Sequence, residues 1–197
     1  MHNANRFHLL HSSQFGSRPG SHALGAVFLK LLSYEICRFT RTPFASFDND
    51  AKSCYDRIVI SMAMLLCQRL GMPLPPCLMV ALCLSHARYY IKTKFGISEA
   101  YYYTSCDEFP THGPGQGSRM GPVLWLIISC LFFTAMFDLC KGASFANPQH
   151  TVSLRRTGDG FVDDVTNVCN FGHESNHVSV PNPISCRLQQ EAQVWKI

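Results

Sequence analysis

"GFVDDVTNV", residues 160–168, sets two adjacent aspartates inside β-forming sequence. Phe161, Val162, Val165 and Val168 favour a strand, whereas Asp is among the residues that strands avoid. A hairpin whose turn falls at the acids reconciles the two, because Asp tolerates turn geometry. The spacing predicts arms over 155–162 and 165–170, with the connection inside 162–164. Both carboxylates then lie at or beside the tip. At an effective dielectric of about 20, two carboxylates ~4 Å apart repel by about 4 kcal/mol. Solvent, protonation of one acid or a divalent cation can offset that repulsion, so the pattern fits a solvated turn and a metal site alike.

A second acidic stretch narrows the choice. "FASFDNDAKSCYD" (44–56) reads as a short strand over 44–50, after the helix break at Pro43. By the period of two, Asp48 and Asp50 share a face of that strand, and Asp50 comes at its end. Oxygen ligands delivered by two chain segments are how hard Mg²⁺ is held, with water and phosphate completing the shell. The third stretch, "GPGQGSRMGP" (113–122), has glycines that allow close backbone approach to a ligand and a Gln that both donates and accepts.

The rest of the chain reads as helices interleaved with short strands. Leu24, Phe28, Leu31 and Leu32 recur at helical spacing, as do Ile58, Met62, Leu65 and Leu66 before a stop at Gly71. "PLPPCLMVALCLSHARYY" (73–90) starts a helix with prolines at its head, "ARYYIKTKFGISEAYYYTSC" suggests a hairpin around Gly96, and "SCRLQQEAQVWKI" begins an amphipathic helix. This order points to an α+β fold with helices on one face of a mainly antiparallel sheet.

Composition bounds the rest. The 197 residues are 47% hydrophobic and 15% charged, which describes a globular chain, and the net charge of +4 permits nucleic-acid binding without requiring it. The uncharged run 122–137 falls short of the ~20 apolar residues of a bilayer span, so a helix buried on nearly every side is expected and no membrane partner. The N-terminal stretch lacks an apolar core of leader length, so the ten cysteines read as free thiols of an intracellular protein, nuclear or cytoplasmic. Cys169, His173, His177 and Cys186 match no standard zinc spacing, and no zinc is expected.

Together the three stretches resemble the palm of reverse transcriptases, closest to those of non-LTR retrotransposons. The family's D-x4-[FY]-D is matched by Asp50-Ala-Lys-Ser-Cys-Tyr55-Asp56. Its Q-G-x3-S-P-x-L is matched by Gln116-Gly117-Ser-Arg-Met-Gly121-Pro122-Val-Leu124, and its [FY]-x-D-D by Phe161-Val162-Asp163-Asp164. "QFGSRPG" (14–20) is similar to the Q-x-G-F-R-x-G stretch ahead of the first motif, and "LQQEAQVW" to a helix after the third, so the likeness covers roughly 14–196 behind a polar segment 1–13.

The resemblance implies a polymerase palm: a small, mainly antiparallel sheet backed by helices, with incomplete fingers and no thumb. It implies an RNA-directed DNA polymerase that joins dNTPs to a DNA primer on an RNA template, using two Mg²⁺ ions or Mn²⁺ in their place. Asp50 and Asp163 become the main metal ligands, Asp164 the third carboxylate, and the Ala51 carbonyl a further ligand. Tyr55 takes the position that rejects a 2′-hydroxyl, although a core aromatic at a helix start fits it too. Gln116 and Gly117 lie along the nucleotide and template, Pro122 starts the supporting helix, and Gly121 and Phe161 flank template and primer. An RNA-dependent RNA polymerase palm shares the carboxylates, but the aromatic Tyr55 argues against it. Gly121 stands where the family has Ser, and Ser17 where it has Phe. The fingers segment and the thumb of the family have no counterpart here, and the uncapped end at Ile197 suggests truncation. The chain alone is therefore expected to polymerise little or not at all, and a non-catalytic mobile-element remnant or nucleic-acid-binding module is the alternative.

Overall fold

Pro43 and the turn before it decide where the first helix ends. The computed structural model describes residues 10–103, 113–170 and 181–193. In it α1 (Ala23–Thr40) closes on Arg41, which adopts left-handed φ 53°, and the Thr42 N–H returns to the Cys37 carbonyl at 2.9 Å. That six-to-one bond satisfies a terminal carbonyl, and Pro43 cannot continue the helix. The chain then extends as β1 (Phe44–Asp50), with the boundaries that the sequence predicts.

Next come α2 (Ile60–Arg69), α3 (Leu74–Ser85), β2 (Arg88–Thr93), β3 (Gly96–Tyr103) and α4 (Gly121–Leu139). They are followed by β4 (Ala143–Ala146), β5 (Ser153–Arg156), β6 (Gly158–Phe161), β7 (Asp164–Asn170) and α5 (Pro181–Gln193). The result is α+β with small antiparallel sheets and five described helices. The chain divides into two compact units, one of Lys52–Ile128 and one of Leu10–Ala51 with Ser129–Ile197.

In the Lys52–Ile128 unit, α2 packs on α3, and Ile58, Ala63, Met64, Cys67, Leu124 and Ile127 form the core. Gly71, at φ 91°, ends the α2 segment, as its place after the apolar period suggests. The predicted hairpin is present as β2 and β3, with a bulge between Tyr90 and Lys92.

The other unit is built on a three-stranded antiparallel sheet in the order β1-β7-β6. β7 lies between two partners, and Val165, Asn167, Val168, Cys169 and Asn170 along it are all buried. One face meets α1: Lys30 reaches Asp48 at 2.6 Å, and the Thr166 hydroxyl donates to the same carboxylate. The other face meets Phe133 of α4, so close to Gly160 that a Cβ there would stand 2.6 Å from the ring. Helices thus cover both faces, not the single face that the element order suggests.

Three further expectations are corrected. The first hairpin arm is not continuous: β5 pairs with β4, β6 pairs with β7, and the chain changes sheets at the buried Thr157. The apolar stripe of α1 points outward, with Leu24 79% and Phe28 63% exposed, while Ser33 and Cys37 are the residues that the helix buries. α4 is not buried on nearly every side. It is the one described helix long and apolar enough to cross a bilayer, and Leu131 and Leu139 on it are exposed while Phe133 and Met136 are fully buried. Trp195 of the predicted terminal helix lies outside the described residues.

Candidate functional site

The acid pair occupies a two-residue hairpin. Phe161 faces Asp164 as the last pair of β6 and β7, leaving Val162 and Asp163 as the loop. Asp164 is therefore a strand residue rather than part of the connection. Val162 has φ 59°, the sign that a II′ turn needs at its first loop position. For a β-branched side chain that region is a steric outlier, with a cost of about 1–3 kcal/mol.

Neighbouring chain holds the strained turn in place. The Phe15 N–H donates to the Gly160 carbonyl at 2.8 Å, and the Gly160 N–H to the Ser13 carbonyl at 2.7 Å. Gln14, 1% exposed, donates through Nε2 to Ser129 Oγ at 2.9 Å and to the Val162 carbonyl at 3.3 Å. Its Oε1 accepts the Gly16 N–H at 2.9 Å. Gly16 lies so close to the turn that a Cβ would stand 2.2 Å from the Val162 nitrogen. The sequence reading matched Gln14 and Gly16 only to the Q-x-G of a motif and gave them no role in holding the turn. The signal available was a Gln followed two residues later by a Gly, which acquires meaning only when the hairpin lies against it.

The β1–β7 register sets two of the predicted acids opposite each other. Asp50 is the residue directly across from Asp164, and directly opposed residues share a face. The ladder continues one step further, with the Ala51 N–H donating to the Asp163 carbonyl at 3.1 Å. Asp50 and Asp164 are exposed and Asp163 half-buried, so water and a phosphate can reach them. Among the described residues, no three His, Cys, Asp or Glu side chains converge as a metal-binding group. The donor set still suits a hard divalent cation, being made of carboxylates at the ends of adjacent strands. Asp48 has a different part. Burial disfavours its charge, but hydrogen bonds from Lys30 and Thr166 and the lysine's charge outweigh this and hold its carboxyl below the ordinary value.

The remaining predicted residues, Phe161 apart, belong to the Lys52–Ile128 unit. Tyr55 packs against the core cluster, and its ring lies over Gly121, where an added Cβ would come 3.1 Å from Cγ. That contact is a physical reason for Gly at this position. Pro122 is half-buried in the first turn of α4, whereas Gln116 and Gly117 are exposed, Gly117 at φ 92°. Gly113 is more constrained: its N–H donates to the Asp56 carbonyl at 3.0 Å, and a Cβ would overlap the Tyr55 carbonyl oxygen. Phe161, at the edge of its sheet, is 36% exposed.

The nine described cysteines are all free. Burial, and then Glu191, push the Cys169 thiol up to about 11, which keeps it protonated and a poor metal ligand. Cys186 is exposed, and His173 and His177 lie outside the described residues. No protein-family model matches the chain, and no curated protein matches it.

Proposed function

We propose that this chain is the palm of an RNA-directed DNA polymerase of the non-LTR retrotransposon type, with RNA template, DNA primer and dNTP as partners. One observation carries the reading: Asp50, from the first motif, stands opposite Asp164, from the third, and the next residue along, Ala51, donates its N–H to the Asp163 carbonyl. Two stretches some 110 residues apart in sequence thereby supply acids to one end of one sheet.

Asp50 and Asp163 would hold Mg²⁺, with Asp164 as the third carboxylate and the Ala51 carbonyl as a further oxygen. When bound, the cation lowers the pKa of an attacking hydroxyl and neutralises charge on a leaving pyrophosphate. The part of the chain itself is positional. The β1–β7 ladder fixes the backbone that bears Asp50 and Asp164, and the buried Gln14 holds the turn that bears Asp163. In the reaction the primer 3′-hydroxyl attacks the α-phosphorus of a dNTP and pyrophosphate departs, with no bond to the protein. Catalysis of this kind rests on orientation and electrostatics. Tyr55 and the Gln116-Gly117 loop serve the nucleotide and template in this reading.

Single-nucleotide incorporation on a labelled DNA primer annealed to RNA tests it. Slow Mg²⁺-dependent addition that vanishes in Asp163→Ala is the expected result. Addition that persists in Asp163→Ala, or that ignores Mg²⁺, contradicts it. The net charge of +4 fits a second reading as well, a nucleic-acid-binding module without catalysis. Nucleic-acid binding with neither incorporation nor metal affinity would select that one.

A further inference from the structure

One face of the β2–β3 hairpin packs on the loop at 113–115, and the other leaves its aromatic rings partly exposed. On the packed side the Tyr89 hydroxyl donates to the Gly113 carbonyl at 3.4 Å, and the ring lies on Gly115, where a Cβ would come 3.1 Å from Cε1. On the other side Tyr90 and Tyr101 are paired across the strands, with ring centroids 5.5 Å apart. They stay 48% and 42% exposed, and the Arg88 guanidinium lies 4.8 Å from the Tyr101 ring centre. Past the bulge, the tip carries Lys92, Lys94 and an 88% exposed Phe95, with the Lys94 ammonium 4.8 Å from the Phe95 ring centre. The hairpin has three cations against one acid, Glu99.

We infer that this partly exposed face binds single-stranded nucleic acid, with Tyr90 and Tyr101 as the stacking ledge and Arg88, Lys92 and Lys94 as phosphate contacts. Charge decides between occupants. A polyanion answers the excess of cations, and a single strand also presents unpaired bases to flat rings, which a duplex does not. An apolar protein partner would use the rings but leave three cations to be desolvated. Binding here needs neither metal nor Asp163, so it stands or falls apart from the polymerase reading.

Fluorescence anisotropy in EDTA, with a labelled mixed-sequence RNA 20-mer and the same strand in duplex, measures it directly. The full chain is expected to prefer the single strand. Tyr90→Ala/Tyr101→Ala should weaken binding by tenfold or more, while Tyr90→Phe/Tyr101→Phe keeps the affinity, because stacking needs the ring and not the hydroxyl. Lys92→Ala/Lys94→Ala lie on the exposed tip and test the surface even if the tyrosine variant fails to fold. They should reduce the slope of log affinity against log salt by about 0.7 per lysine. Unchanged affinity in the Tyr→Ala variant, an unchanged salt slope in the lysine variant, or a preference for duplex would each overturn the assignment. So would a Tyr→Ala variant that changes oligomeric state and leaves RNA affinity intact, since that outcome makes the face a protein interface.

Discussion

Val162 is held at φ 59° by a glycine more than a hundred residues earlier in sequence. Because a Cβ on Gly16 would meet backbone rather than a movable side-chain end, Gly16→Ala must displace the turn. The expected cost is about 1–3 kcal/mol in urea-unfolding free energy, as for other overpacked sites. Gly113 and Gly121 offer a paired comparison in the other unit. Gly113→Ala drives a methyl into the Tyr55 carbonyl and should cost about 3 kcal/mol or more, whereas Gly121→Ala meets only the Tyr55 ring and should cost about 1 kcal/mol. Equal losses of stability in the two variants would contradict this packing. At this scale the sequence is legible where a residue conflicts with its local pattern. Asp163 and Asp164 stand out in a β-forming run without any structure. Gln14 and Gly16 do not, since their importance lies in contacts with the distant Val162 and Ser129.

Elements show where periodicity informs and where it misleads. All five described helices are visible as apolar spacing or proline starts, and β1 is visible to the residue. The orientation of α1 is not, because its apolar stripe points to solvent and the helix is fixed by polar pairs. Arg156 binds Asp159, Ser33 Oγ and the Leu29 carbonyl, tying the β5–β6 junction to the helix, and the two charged side chains are only 10% and 8% exposed. Asp159→Ala leaves that guanidinium buried without its counter-ion and should cost about 3–5 kcal/mol, read by urea unfolding. In the Lys30–Asp48 pair the acid is 64% exposed, and its loss should cost no more than about 1 kcal/mol. β4 was missed because the four residues "ASFA" are too few to show an alternation. α5 adds a pH dependence. Burial raises the Glu191 carboxyl above its ordinary value, against the Gly142 N–H and Arg187, which lower it. A raised acid binds more protons folded than unfolded, so stability falls as pH rises from the unfolded value through the folded one. Glu191→Gln should remove that dependence, with its melting temperature gaining on the wild type in the window above the ordinary glutamate value of about 4. A constant difference across that window would show that Glu191 is not responsible.

For the whole molecule, the α+β class was legible because helical and strand periods alternate along the chain. The division into two units was not, since no linker, composition shift or repeat marks either boundary. The pairing of Asp50 with Asp164 was legible only in part. Strand ends and a turn could be read from sequence, whereas the register that sets Asp50 against Asp164 depends on how β1 docks on β7. The central claim is that these acids form a divalent-cation site. Calorimetric titration of the full chain with Mn²⁺, which replaces Mg²⁺ at oxygen sites, tests it most directly. Saturable binding weakened at least about 100-fold in both Asp50→Asn and Asp163→Asn, and unchanged in Asp48→Asn, is the predicted result, as expected for ligands removed from a shared ion. Binding that is absent in the wild type, or that survives both substitutions, would contradict it.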